Sequence, residues 1–124
     1  MKLFNQMLTS LRNGQVARKL VIQIPYSKFC WNVLTVFLFH GYIKGMQKQN
    51  QSIFVILKYV NDKPAIQKLE QISTSSQKVY SSYAELNVPN QGLGLVLLST
   101  SKGILSSSKA LELKVGGEVL CKIF

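Results

Sequence analysis

Acidic residues are scarce in this chain. Five Asp and Glu stand against 15 Lys and Arg in 124 residues, a formal charge of +10. None of the five precedes Asp62, whereas eight bases do: Lys2, Arg12, Arg18, Lys19, Lys28, Lys44, Lys48 and Lys58. The acids are scattered, so no carboxylate pair for general acid–base chemistry is in sight. The single histidine, His40, ends an apolar segment, where it reads as a helix cap or packed ring and not as a base. Cys30 and Cys121 lie far apart in apolar runs, without a CxxC or a nearby histidine. That spacing excludes a zinc site and a disulfide-built secreted fold, and both read as small core residues. The longest apolar run, Phe29 to Phe39, falls short of the roughly 20 residues a membrane-spanning helix needs. The opening MKLFNQMLTSLRNGQ lacks the apolar stretch and cleavage site of a signal peptide, and an organelle protein with this opening would be expected to be made where it works. No internal repeat, heptad or Gly-x-Ser-x-Gly elbow is present, and Gly92-Leu93-Gly94 precedes a strand instead of opening a helix. No cofactor, metal or small-molecule substrate is implied.

What is there is a basic, core-forming chain. With 47% hydrophobic and 16% charged residues it can bury a real interior, as one domain or two small lobes. An imbalance of +10 points to a polyanionic partner, nucleic acid first and an anionic membrane second.

Leu3, Phe4, Met7, Leu8 and Leu11 recur every three to four residues, which predicts an amphipathic helix stopping near Arg12-Asn13-Gly14. A strand follows at Leu20 to Ile24, ended by Pro25. Ser27 is placed to cap a second helix from Lys28 to His40, with Gly41 behind it. Nine of the eleven residues from Phe29 to Phe39 are apolar. One stripe, Phe29-Val33-Phe37 with Val36, would fill the core. A second, Cys30-Leu34-Leu38, is either more core or a docking stripe for another protein. Strands are expected at Tyr42 to Lys48 and Ile53 to Val60, then turn chemistry at Asn61-Asp62-Lys63-Pro64. Ile66, Leu69 and Ile72 are ambiguous between helix and bulged strand. Ser73-Thr74-Ser75-Ser76-Gln77 is a polar breaker, read as the lobe boundary. Beyond it come a short strand at Lys78 to Tyr80, a turn through Asn87 to Asn90, and a buried strand from Leu93 to Leu98. Ser106 caps a short helix to about Lys114, and Glu118 to Phe124 closes the chain. The fold class is α/β (α+β): two small packed lobes, 1–72 helix-strand-helix-strand-strand and 73–124 mainly β.

The best site candidate is Ser99-Thr100-Ser101-Lys102-Gly103, at the end of the buried strand. Short hydroxyls, one cation and a bare backbone suit phosphates, 2′-hydroxyls and base edges. Tyr80 could stack on a base or ribose, or equally belong to the core. Gly116-Gly117 alone reads as a tight turn.

These stretches resemble the bacterial-type small-subunit ribosomal protein S8 family over nearly the whole chain. Matching segments are Met7-Leu8-Thr9 with Arg12-Asn13-Gly14-Gln15, Ile24-Pro25 with Ser27-Lys28, Gly41-Tyr42-Ile43, Leu57-Lys58-Tyr59 and Gly92-Leu93-Gly94. Ser99 to Gly103 and Gly116-Gly117-Glu118-Val119-Leu120-Cys121 complete them. The resemblance implies an α/β N-terminal lobe, a mainly β C-terminal lobe, and binding to the central domain of small-subunit rRNA as an assembly protein without catalysis. It implies that Ser99, Thr100, Ser101, Lys102 and Gly103 contact RNA, with Gly116, Gly117 and Glu118 beside them and Tyr80 and Lys28 near the RNA. Neighbouring small-subunit proteins are the other implied partners.

The chain departs from the family pattern in places. Ser73 to Gln77 stands where an arginine-containing Pro-Gly segment is usual. Ser81-Ser82 and Ser106-Ser107-Ser108 replace charged residues, and the second helix has lost charges typical at positions 30, 38 and 39. Fewer phosphate contacts and a shallower salt slope follow. The apolar helix, with 13 lysines against only Arg12 and Arg18, suggests an organelle-encoded member, mitochondrial before plastid. A protein contact at Cys30, Leu34 and Leu38 would then replace lost RNA contacts. The alternative is a basic protein–protein or membrane-peripheral module working through the Phe29–Phe39 helix.

Overall fold

In the computed structural model, residues 2–74, 76–83 and 94–124 are described. They divide into two units, Met1–Gln67 and Lys68–Phe124.

The first unit begins with α1 (Lys2–Val16). Phe4, Met7, Leu8 and Leu11 are buried on one stripe of it, as the spacing predicts, while Leu3 is partly exposed. The helix does not stop at Gly14. It runs through to Val16, and Gly14 serves close packing, since a methyl there would meet Ile22 Cγ2 at 2.7 Å. The left-handed step falls on Arg18 (φ 57). Arg18 N–H donates to Gln15 O at 3.2 Å and Lys19 N–H to Gly14 O at 2.9 Å, a Schellman closure.

β1 (Val21–Pro25) follows, with Ile22 and Ile24 turned inward. α2 (Lys28–Phe39) is capped by the Ser27 hydroxyl, which accepts from Cys30 N–H at 3.1 Å. Cys30, Val33, Leu34 and Phe37 are the buried face of α2. This corrects the docking-stripe expectation. Positions i, i+3, i+4 and i+7 form one core stripe, so Cys30 and Leu34 are inside the unit, and only Leu38, 37% exposed, reaches the surface. Phe29 is half-buried and meets Phe4 edge-on with ring centroids 5.4 Å apart. The buried large side chains of α2 each contribute about 1.5–3 kcal/mol over exposure. β2 (Ile43–Gln49) and β3 (Ser52–Leu57) form a hairpin through Asn50 (φ 55), and the sheet order is β1-β3-β2, antiparallel. The expected strand to Val60 breaks after Leu57. β4 (Tyr59–Val60) and β5 (Lys63–Pro64) pair separately around Asn61 and Asp62, both at positive φ (52 and 65), the primed-turn geometry that asparagine and aspartate tolerate.

In the second unit, β6 (Leu69–Gln71) resolves the helix-or-strand ambiguity as strand. Because it pairs with the closing strand β10 (Gly117–Ile123), the unit starts at Lys68, ahead of the expected 72/73 boundary. The polar run after it is no linker: Ser73 is fully buried. β7 (Tyr80–Ser81), β8 (Leu95–Thr100) and β9 (Gly103–Ser106) complete an antiparallel sheet ordered β6-β10-β8-β9, with β7 also on β10. β9 has no counterpart in the sequence expectations. The turn expected at Asn87 to Asn90, and Gly92-Leu93, lie outside the described residues. α3 (Ser107–Leu113) is capped by Ser106, as expected, and ends at Lys114 in the left-handed region. Val96, Leu98, Ala110 and Val119 pack together, with Ile72, Val79 and Val115 against them. A bulge between Val119 and Cys121 breaks the alternation of β10, which is how Val119, Leu120 and Cys121 are all buried in succession.

Candidate nucleic-acid interface

The hydroxyl segment is the tip of the β8–β9 hairpin. Thr100 pairs with Gly103, leaving Ser101 and Lys102 as the two turn residues, both exposed. Neither has positive φ, so the left-handed step is taken by Gly103 at φ 104, which glycine adopts without steric cost. The Thr100 hydroxyl donates to Gly103 O at 2.9 Å and accepts from Lys102 N–H at 3.1 Å. Thr100 therefore shapes the turn, whereas Ser101 and Lys102 point their chemistry outward.

The hydroxyl segment and the Gly116-Gly117 motif meet here through the backbone. A Cβ on Gly117 would collide with the Ser99 carbonyl oxygen and sit 3.1 Å from Thr100 Cγ2. One on Gly116 would collide with Ser81 O and lie 2.8 Å from Ser82 Cα. The pair is thus more than a tight turn, since side chains there would push β7 and β8 off β10.

Register then lines up the remaining candidates. Tyr80 of β7 lies opposite Glu118 of β10, which lies opposite Ser99 of β8, which lies opposite Ile104 of β9. Directly opposed residues share a face, so Tyr80, Glu118 and Ser99 form one cross-strand row, while Thr100, Gly117 and Ser81 belong to the other side. Tyr80 is 69% exposed, which settles its alternatives against the core. Glu118 Oε2 is buried and has no hydrogen-bond partner among the described residues. Lys28, the remaining candidate, is exposed in the first turn of α2, in the first unit. Ser81, which donates its hydroxyl to Ser82 O at 3.0 Å, lies beside Gly117; the sequence marked it only as a departure from the family pattern, not as part of the site. The short strand expected at Lys78 to Tyr80 is found at Tyr80–Ser81, ending one residue later, and two residues carry too little periodicity to fix its end.

Both cysteines are free and buried, and burial pushes the Cys121 thiol up to about 12 and the Cys30 thiol up as well. Neither is placed as a nucleophile. Among the described residues no cluster of three or more His, Cys, Asp or Glu is arranged to hold a metal ion, and no helix is long and apolar enough to cross a membrane.

Residues 3–124 match the family described as ribosomal protein S8. The chain belongs to that family. A small ribosomal subunit protein uS8 from Rhodospirillum centenum is 41% identical over 123 residues, covering 95% of this chain and 93% of that protein. The uS8 of Anaplasma marginale is 38% identical over 122 residues (94% and 92%), and that of Lawsonia intracellularis 38% over 120 (97% and 95%). Family membership makes this a structural ribosomal protein and not an enzyme.

Proposed function

We propose that this chain is a structural component of the small ribosomal subunit that binds the central domain of small-subunit rRNA and supports its assembly. The second unit is the RNA-binding lobe. The observation that carries the reading is the row Tyr80–Glu118–Ser99, backed by glycines that admit no side chain and ending at the exposed Ser101-Lys102 tip. The chemistry divides along it. Lys102 suits a phosphate. Glu118, acceptor only, repels phosphates and suits a donor such as a base amino group or a 2′-hydroxyl. The exposed ring of Tyr80 offers a stacking platform, and Ser99 and Ser101 can bond base edges or ribose. Gly116 and Gly117 let backbone approach backbone, Gly103 takes the left-handed step and Thr100 holds the turn; on the first unit, Lys28 by itself suits a phosphate. The finer placement is a mitochondrial ribosome, with a plastid one as the alternative. It is supported by the preference for lysine over arginine and by the apolar α2.

The test is chemical footprinting on small-subunit rRNA with the wild type and a Ser99→Ala/Ser101→Ala variant. Loss of two hydrogen bonds at about 1 kcal/mol each weakens binding about thirtyfold and erases protection at one discrete rRNA site. Unchanged affinity and protection would overturn the assignment. Co-sedimentation of tagged protein with mitochondrial rather than plastid or bacterial-type ribosomes checks the placement.

A further inference from the structure

β1 is an open edge. In the first unit the order is β1-β3-β2, and among the described residues no strand pairs with the outer side of β1. Its free backbone groups follow from the register. Leu57 N–H donates to Leu20 O at 2.9 Å and Tyr26 N–H to Gln51 O at 2.8 Å. Bonded pairs alternate along an antiparallel ladder, so Ile22 and Ile24 spend their groups on Val55 and Ile53. Val21 and Gln23 then turn both N–H and C=O away from β3, and Pro25 turns its C=O away.

A groove of about 510 Å³ runs along that edge. Ser10, Asn13 and Gly14 of α1 form one wall, and the consecutive Val21, Ile22 and Gln23 the other. Consecutive strand residues point to opposite faces, so a depression touching all three wraps the edge itself. A second depression of about 320 Å³ continues past Ser10 to Thr9 and Pro25. Apolar side chains flank the groove and are left in water: Leu20 is 73% exposed, Val21 47%, and Ile56, opposite Val21 on β3, 39%. Natural edges are normally blunted by inward-pointing charges, bulges or central prolines. β1 carries no charge, and its proline sits at the last position.

We propose that this edge receives an extended polypeptide segment of another protein, added beside β1 as a fourth strand. Backbone complementarity chooses this occupant, because only an extended chain offers alternating N–H and C=O at the strand repeat. The groove has one charged lining residue, Lys19, too little positive charge to hold a phosphate backbone, which disfavours RNA. A second copy would bring another +10 to the same edge. The segment is therefore neutral, or acidic where it passes Lys19. Its source is sought in the small subunit, so the inference rests on the ribosomal reading.

The test places a benzophenone photo-crosslinking residue at Leu20 in the full chain, used free, bound to small-subunit rRNA alone, and in the assembled subunit. Amide exchange at Val21 and Gln23 is followed in parallel. The expected result is a cross-link to one defined segment of another subunit protein, with both amides slowed about tenfold or more only in the assembled subunit. Gln23→Pro, which removes an outward donor and is read at Val21 because proline has no amide, and Leu20→Lys, which leaves the backbone intact, should each abolish that protection while rRNA affinity stays within twofold. An RNA adduct, a cross-link between two copies, or fast exchange at both amides inside the assembled subunit overturns the inference and leaves the rRNA reading standing. Failure of the wild type to bind rRNA or enter the subunit overturns both.

Discussion

Ser73 donates its buried hydroxyl to the carbonyl of Val119 across 2.6 Å, and the same oxygen accepts from Val79 N–H at 2.9 Å. One serine thus ties the run after β6 and the approach to β7 onto β10, the strand that carries Glu118. Ser73→Ala leaves a buried carbonyl and a part-buried N–H without this partner. The expected cost is about 1–3 kcal/mol, read as a lower urea midpoint at unchanged slope. Ser76→Ala, at an exposed position, should stay within about 0.5 kcal/mol of wild type.

That serine also marks where the sequence stops being readable. Local signals survived into the structure: the Phe4–Leu11 stripe, the caps at Ser27 and Ser106, the close of α2 near Gly41, and the final strand. Each depends on residues a few positions apart. What was lost depends on partners far along the chain. Gly14 looks like a helix stop until Ile22 is seen against it. Ser73 looks like part of a polar lobe boundary until β10 arrives. Cys30 and Leu34 read as either core or docking stripe until the unit closes over them. The hydroxyl tip and the Gly116-Gly117 motif were each visible as spellings. Only register shows that Ser99, Glu118 and Tyr80 stand side by side, or that Thr100 belongs to the opposite face.

Gly117 and Gly103 should respond very differently to alanine. At Gly117 the new methyl runs into the backbone of Ser99, which cannot rotate away, so β8 and β10 must separate. Gly117→Ala should lose about 3 kcal/mol or more and weaken RNA binding even in the folded fraction. At Gly103 nothing lies within 4 Å of an added Cβ, and the cost is only the left-handed backbone at φ 104. About 1–2 kcal/mol is expected, with RNA affinity changed less than at Gly117. Urea melts alongside RNA titrations of both variants distinguish the two mechanisms. Equal losses would argue that the tip and the strand seam are one mechanical element.

Lys102 and Thr100 separate charge from shape. Lys102→Ala removes one phosphate contact, so the plot of log affinity against log salt should flatten by about one unit or slightly less. Thr100→Val keeps the branched side chain but loses the bonds to Gly103 O and Lys102 N–H. It should lower affinity by about tenfold with the salt slope intact, because the hairpin loosens while the cation remains. Thr100→Ser should restore most of that loss. Binding isotherms at several salt concentrations provide both readings.

Alkaline stability tests the burial of Cys121. Burial lifts its thiol from the usual 9.0 to about 12. Above about pH 9 the unfolded chain gives up this proton while the folded chain keeps it, so unfolding releases a proton and stability falls as pH rises. The contribution is fully present below about pH 9 and declines toward pH 12, by about 1.4 kcal/mol per pH unit. Cys30, also raised by burial, acts in the same direction. Every other group is common to wild type and Cys121→Ala, so the difference between the two isolates the thiol. The variant begins less stable, since it leaves a small cavity, and its stability should fall less steeply from pH 9 to 11. Parallel slopes would mean that water reaches Cys121, and that the bulge at Val119–Cys121 does not seal β10 as the burial indicates.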